Sequence, residues 1–187
     1  VASSMAIASM TIAVLNVRMG WGIEIAIVMA LLVGAAVGAI NAFFILWLGI
    51  HSLIVTLGTG YFINGVVLWM SGSNVISGVS MDLVRAVILT RFLGVPLSFW
   101  YAAMLTAVIW YLFQHTAMGR RLLFVGRGRE VARLSGVNVT LTRAGALIAS
   151  GTIAALAGVL YTGMRGSADP SSALSFLLPG HAVNTSL

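Results

Sequence analysis

The stretch GRRLLFVGRGREVARLSGVNVTLTR, residues 119–143, decides how the rest of this chain must be arranged. It holds six of the ten arginines and a single acid, Glu130, and a long apolar segment adjoins it on each side. An arginine at mid-membrane costs about 2.5–3.5 kcal/mol on insertion scales, so six would cost about 15–20 kcal/mol. The stretch therefore lies in water, and its excess of arginine places that water on the cytoplasmic side.

The composition of the 187 residues is that of an integral membrane protein, since 60% are hydrophobic and only 7% are charged. Soluble domains average about 25% charged residues. The net charge of +6 and the pI near 11.2 would also suit a nucleic-acid-binding protein. Because the arginines cluster beside apolar runs, we predict no nucleic-acid partner and expect anionic lipid head groups as a secondary one.

Metal and thiol chemistry find no support in the sequence. Cysteine is absent, which excludes disulfides and thiolate ligands, and the three histidines are far apart with no helical spacing between them. The four acidic residues form no close pair, so no carboxylate acid/base site is predicted either. We expect no cofactor and no metal.

A membrane-spanning helix needs about 20 apolar residues. Val1–Val17 is interpreted as the remainder of a span, and three further segments as complete spans: Ile23–Leu48, Leu97–His115 and Ala144–Met164. His51–Met70 is also apolar but is broken by glycine, threonine and asparagine. Two interpretations of it stay open, a discontinuous or re-entrant helix that lines a pathway and an ordinary span.

Small residues at a spacing of four predict close helix packing. Gly34 and Gly38 are expected to form a tight crossing with another helix. Ser150, Ala154 and Gly158 are expected to form a second packing face.

The cytoplasmic position of the arginines sets the direction of the neighbouring spans. Leu97–His115 would run from outside to inside and Ala144–Met164 from inside to outside, which leaves 71–96 and the residues from 165 onward external. The direction of the earlier spans depends on whether His51–Met70 crosses the membrane completely.

Within the arginine-rich stretch, Arg129–Leu134 is predicted to form a short helix that Gly136 terminates. A short cytoplasmic helix tethered to two spans can act as a mechanical handle for a soluble partner. It can also be a basic loop that sets topology and touches lipid. The residues alone leave both possibilities open.

Polar side chains inside the apolar runs are candidates for a solute pathway. They are Asn41, Thr56, Thr59 and Asn64. A membrane-embedded amide seeks either another helix or a polar substrate, so helix packing is the alternative. No charge pair lies inside the predicted spans, which argues against a proton-coupled carrier.

Three motifs resemble one known family. Gly119-Arg-Arg-Leu-Leu-Phe-Val-Gly with Glu130-Val-Ala-Arg-Leu-Ser-Gly-Val-Asn resembles the cytoplasmic loop of sugar-importing ABC permeases of the ribose/xylose type. Leu53-Ile-Val-Thr-Leu-Gly-Thr resembles the segment after that family's second long apolar run. Ser150-Gly-Thr-Ile-Ala-Ala-Leu-Ala-Gly-Val-Leu, followed by Gly166-Ser-Ala-Asp-Pro, resembles its helix and external turn after the loop. The three occur in the family's order and spacing.

The resemblance implies an all-α fold, a polytopic transmembrane helical bundle like that of type II (vitamin B12-importer-like) ABC permeases. It implies one permease domain over residues 1–187, incomplete at both ends, with a coupling loop at 116–143. Expected partners are ABC ATPase subunits, a second permease subunit and a periplasmic or extracellular sugar-binding protein. The coupling contact would involve Gly128, Arg129, Glu130, Val131, Ala132, Arg133, Leu134, Ser135 and Gly136.

The implied function is import of a pentose or hexose across the bacterial cytoplasmic membrane, driven by ATP. The chain has no Gly-x-x-x-x-Gly-Lys-Ser/Thr loop, so we expect it to be a transporter subunit and not an enzyme, with ATP hydrolysed by a separate subunit. The alternative is a nucleotide-independent secondary carrier or channel.

Overall fold

The structure is a computed structural model, and it describes residues 2–72, 74–79, 91–92, 95–128, 132, 134 and 136–168. The helices are α1 (Ala2–Ala13, continued by a π-helical turn, Val14–Arg18), α2 (Ile23–Leu46), α3 (Ser52–Ser71), α4 (Leu97–His115), α5 (Ala117–Arg127) and α6 (Val139–Arg165). Four two-residue strands are also present: β1 (Ile76–Ser77), β2 (Arg91–Phe92), β3 (Val95–Pro96) and β4 (Ser167–Ala168). The protein is thus a helical bundle, as the sequence predicts.

Helix α1 forms the centre of the bundle and packs against α2, α3 and α6. Every residue from Ala6 to Ala13 is buried, and the side chains of Met10 and Ile12 are completely so. Its sequence is rich in alanine, serine and other small residues, which let three neighbouring backbones approach on all sides. The sequence identified this segment as a span but not as the core.

Helices α2 and α6 cross at the predicted glycines. A Cβ built on Gly38 would lie 2.6 Å from the Leu147 carbonyl oxygen and 2.8 Å from the Ile148 Cα. A Cβ built on Gly34 would lie 2.7 Å from the Gly151 carbonyl oxygen. The tight crossing predicted from Gly34 and Gly38 is therefore confirmed.

The packing face of α6 differs from the prediction by one residue at the α2 crossing. Gly151 and Ala155 contact α2, whereas Ser150 is exposed. Gly158 does pack tightly, but against α1, where a Cβ on it would lie 3.2 Å from the Ala8 Cβ. Because α6 has small residues at adjacent positions, several sets of small residues four apart are possible. The rotation of the helix about its axis decides which set faces α2.

Helix α3 is continuous over 20 residues, about 30 Å at 1.5 Å per residue. The His51 Nδ1 accepts a hydrogen bond from the Leu53 amide (3.4 Å) before the first turn. Gly72 ends the helix in the left-handed conformation, with φ of 62°. Of the two interpretations that the sequence left open, the discontinuous helix is therefore wrong.

The described contacts also show the relative directions of four of the helices. Strand β1, which follows α3, pairs antiparallel with β4, which follows α6, so α3 and α6 end on the same side. The Arg18 guanidinium bonds to the last carbonyls of α3, which brings the end of α1 to that side as well. Helices α1, α3 and α6 are therefore parallel, and α2 is antiparallel to them.

Among the described residues, α2, α3 and α6 are long and apolar enough to cross a membrane. Helix α4, with 19 residues, occupies the segment predicted as a further span. We call the side on which α2 ends and α3 and α6 begin the arginine-rich end, because six arginines lie between the end of α4 and residue 143. The sequence adjoining the opposite end contains four arginines and three acids.

Candidate functional site

The arginine-rich segment begins with a tight corner between α4 and α5. The Thr116 hydroxyl donates a hydrogen bond to the Leu112 carbonyl (2.5 Å) and accepts one from the Gly119 amide (3.1 Å), so it caps the start of α5. A Cβ built on Gly119 would lie 2.5 Å from the Phe113 Cα. A larger residue at position 119 would thus force α5 away from the end of α4.

Helix α5 was not predicted from the sequence, which suggested only a basic loop here. Its polarity is two-sided: Arg120 and Arg121 are exposed, whereas Val125 is buried and the helix packs against α6. The three-residue spacing of Leu122 and Val125, together with the cap at Thr116, is the signal that would have identified it.

The turn between α5 and α6 contains the predicted coupling residues. The Ala132 amide donates to the Gly128 carbonyl, and the Val137 amide donates to the Ala132 carbonyl, both at 3.1 Å. Gly136 has a φ of 75°. This bond over a left-handed glycine is the helix-ending Schellman arrangement, so the prediction that Gly136 terminates a helical turn is confirmed. Five other predicted coupling residues lie outside the described residues: Arg129, Glu130, Val131, Arg133 and Ser135.

The turn presents two apolar side chains in opposite environments. Ala132 is completely buried, whereas Leu134 is 87% exposed, the most exposed of the large apolar side chains described. The buried alanine anchors the turn to the rest of the protein, and the leucine two residues later is exposed to solvent.

Helix α6 begins directly after the turn. The Asn138 Oδ1 accepts a hydrogen bond from the Leu141 amide (3.1 Å), and its carbonyl accepts one from the Thr142 hydroxyl (2.9 Å). The helix therefore starts at Val139, five residues before the predicted Ala144, and continues for 27 residues. Helix α6 therefore connects the turn to the crossing with α2.

The structure separates the four polar residues that were predicted to lie along a solute pathway. The Thr59 hydroxyl donates to the Asn41 Oδ1 at 2.8 Å and so joins α3 to α2. The Thr56 hydroxyl faces outward and bonds to the Ser52 carbonyl of its own helix (2.9 Å). Asn64 is buried, one of the α3 residues enclosed by the bundle. Asn41 and Thr59 thus form a hydrogen bond with each other. Among the described hydrogen bonds, none links Thr56 or Asn64 to another residue of this set.

A groove of about 590 Å³ lies between α2 and α3, and Ile7 of α1 also contributes to it. Its lining is apolar, with Thr59 as the one hydroxyl-bearing residue among Val33, Ile40, Phe44, Ile54 and Phe62. Because that hydroxyl already donates to Asn41, the groove suits hydrocarbon better than a sugar. Within the described ranges, no three histidine, aspartate or glutamate side chains come close enough to hold a metal ion.

Comparison with known proteins gives one consistent result. Residues 1–183 match the family described as "Branched-chain amino acid transport system / permease component". The D-allose transport system permease protein AlsC of Escherichia coli K12 is 32% identical over 151 residues, which cover 81% of this chain and 46% of that protein. The autoinducer 2 import system permease protein LsrD of Salmonella typhimurium is 31% identical over 186 residues, 95% of this chain and 54% of that protein.

The LsrD protein of Yersinia enterocolitica is 34% identical over 165 residues, 86% of this chain and 50% of that protein. The chain therefore spans about half the length of the curated relatives it matches. No solved structure matches it.

Proposed function

The chain belongs to the family of branched-chain amino acid transport system permease components, and on that premise we propose that it is the transmembrane subunit of an ATP-driven importer for a monosaccharide of the pentose or hexose class. Two kinds of relative support a small polar cargo, since one is named for D-allose and the others for autoinducer 2. In this proposal the membrane is the bacterial cytoplasmic membrane, and the arginine-rich end faces the cytoplasm.

The observation that carries the proposal is the turn before α6. Leu134 projects into solvent at the arginine-rich end, Ala132 anchors the turn, and Asn138 connects it without a flexible linker to α6. A soluble subunit that grips Leu134 would move a helix of 27 residues that crosses α2 at backbone contact. The coupling loop at 116–143 would in this way convert the closure of an ATPase into a movement inside the membrane.

The proposed assembly contains two ABC ATPase subunits, a second permease subunit and a sugar-binding protein on the opposite side. ATP is hydrolysed by the separate ATPase subunits. Arg120 and Arg121 on the exposed face of α5 are positioned for anionic lipid head groups, each worth about 1 kcal/mol near a charged membrane surface.

Replacing Leu134 by aspartate tests the proposal. Full burial of a leucine contributes about 1.5–3 kcal/mol, so loss of its contact should weaken ATPase association at least about tenfold. Membrane insertion should be unaffected, because Leu134 contributes almost nothing to the core. The measurements are ATPase co-purification and sugar uptake by the assembled transporter in proteoliposomes.

The matched control is Leu123→Asp, which alters the same type of side chain on α5, where it is 53% exposed. Position 123 lies within the loop but outside the predicted contact residues 128–136, so this substitution should leave ATPase association unchanged. Normal association and uptake by Leu134→Asp would contradict the proposal. Gradient-driven uptake by the permease without any ATPase would instead identify a secondary carrier.

A further inference from the structure

Arg143 lies in the second turn of α6, where that helix already packs into the bundle. Its neighbours Thr142 and Ala144 are buried, and Arg143 itself is half-buried. Its guanidinium has no hydrogen-bond or ion-pair partner among the described residues. The guanidinium of Arg18, by contrast, donates to two backbone carbonyls. Arg143 is thus a cation that lacks a partner in the part of the chain that the structure describes.

The crossing of α2 and α6 gives the depth of Arg143 in the membrane. Gly38 of α2 faces Leu147 of the antiparallel α6. Arg143 precedes Leu147 by four residues, about 6 Å toward the arginine-rich end. Trp47 follows Gly38 by nine residues, about 13 Å toward the same end. Trp47 is 64% exposed, and exposed tryptophans mark the membrane–water boundary. The Arg143 backbone therefore lies about 7 Å on the membrane side of that boundary.

This depth indicates which anion the guanidinium meets. A long basic side chain near a helix end extends toward the interface, where the lipid phosphates lie. A soluble subunit approaches from the water and meets the head groups first, so a lipid phosphate is the nearer partner for Arg143. The planar guanidinium also suits a phosphate, which it binds through two parallel N–H donors.

The surroundings of Arg143 favour a lipid with a net negative charge. Arg120 and Arg121 are exposed on α5, which packs against α6. The single acid of residues 119–143, Glu130, lies outside the described residues. Each basic residue near an anionic membrane surface raises the affinity for it about fivefold. A zwitterionic lipid would not gain this factor.

We infer that Arg143 binds the phosphate of an anionic phospholipid in the leaflet at the arginine-rich end, and that this lipid stabilises the start of α6 beside the coupling turn. The site differs from the general attraction between α5 and head groups, because its residue lies on the membrane side of Trp47. That the leaflet is the cytoplasmic one rests on the proposed function, whereas the site rests on the depth and contacts of Arg143.

Binding of phosphatidylglycerol to the assembled transporter, without ATP, tests the site. In titrations followed by native mass spectrometry, Arg143→Gln should weaken the binding of the first phosphatidylglycerol about fivefold. Arg143→Lys keeps the charge without the planar fork and should lose less. The matched control is Arg165→Gln, at the opposite end of α6, where the guanidinium lies 5.0 Å from the Tyr161 ring centroid; it should bind as the native protein does. Native affinity in Arg143→Gln, or an equal loss in Arg165→Gln, would overturn the inference.

Thermal unfolding separates a lipid partner from a partner within the protein. In nanodiscs of phosphatidylcholine alone, Arg143→Gln should melt at the native temperature, because the guanidinium has no described partner to lose. Addition of phosphatidylglycerol should raise the melting temperature of the native protein and raise that of Arg143→Gln less. A variant that already melts lower in phosphatidylcholine would show that protein groups hold Arg143, and the lipid site would be wrong.

Two competing partners complete the test. Inorganic phosphate supplies the same anion without acyl chains and should not displace phosphatidylglycerol; displacement would assign Arg143 to a soluble anion. In phosphatidylglycerol nanodiscs, ATPase association should be equal for the native protein and Arg143→Gln, whereas its loss would assign the guanidinium to an acidic group of the ATPase. The binding and melting measurements need no uptake, so failure to import any sugar would refute only the proposed function.

Discussion

Replacing Gly38 by alanine should force α2 and α6 apart. The new Cβ would lie 2.6 Å from the Leu147 carbonyl oxygen and 2.8 Å from the Ile148 Cα, whereas ordinary contacts of a Cβ are 3.4–4 Å. The shortfall is about 0.8 Å at the carbonyl. Both neighbours are backbone atoms of a helix, so no change of rotamer relieves the contact and the helices must separate.

The expected cost follows from two opposing effects. Overpacking of a close-packed interior costs about 1–3 kcal/mol, and the rigidity of both partners places this crossing at the upper end. Alanine returns about 0.5–1 kcal/mol relative to glycine in a helix. The net loss should be about 2 kcal/mol, which corresponds to a decrease in melting temperature of about 4–8 °C for a chain of this size.

Thermal unfolding in mild detergent, followed by the fluorescence of the five tryptophans, measures this loss. The matched controls are Gly58→Ala and Gly65→Ala on α3, where a built Cβ has no described neighbour within 4 Å. They should be as stable as the native protein or slightly more stable. Equal melting temperatures for Gly38→Ala and the two controls would refute the account of the crossing.

Two further substitutions test the ends of the bundle. Arg18→Gln should remove both bonds to the end of α3 and accelerate hydrogen exchange of the amides near Gly72, with partial recovery in Arg18→Lys, which keeps the charge but lacks the planar fork. Exchange at the native rate in Arg18→Gln would contradict a stabilising role for these two hydrogen bonds. Gly136→Ala places a Cβ at a φ of 75°, which costs about 1–2 kcal/mol, and should speed proteolysis of the turn. Gly126→Ala should not, because a Cβ built there meets no described atom within 4 Å.

Hydropathy, charge and motif order were sufficient to identify the class of protein. Ile23–Leu46 and Leu97–His115 form helices close to the bounds predicted for them, because a lipid-crossing helix needs a long apolar run and such a run is visible locally. The resemblance found in three motifs is confirmed by the family match over residues 1–183. The coupling role of residues 128–136 stays a prediction.

The sequence was less informative about the arginine-rich segment. Helix α5 went unpredicted because an 11-residue helix with three arginines is too short and too polar to show a spanning pattern. The start of α6 at Val139 was also missed, since the cap at Asn138 lies outside the apolar run that defined the span. Capping hydrogen bonds define the start of α5 and the start of α6. The residues that form such caps are a weaker signal in the sequence than hydropathy.

Asn41 and Asn64 show where local pattern stops being informative. Both are amides within apolar runs, and the sequence assigned them the same two possible roles. The rotation of each helix gives Asn41 a partner in Thr59, and it leaves the buried Asn64 Nδ2 without an acceptor among the described residues. Transfer of side chains from water to lipid is a property of each residue and can be read along the chain, whereas the partner of a buried group depends on which helix faces it.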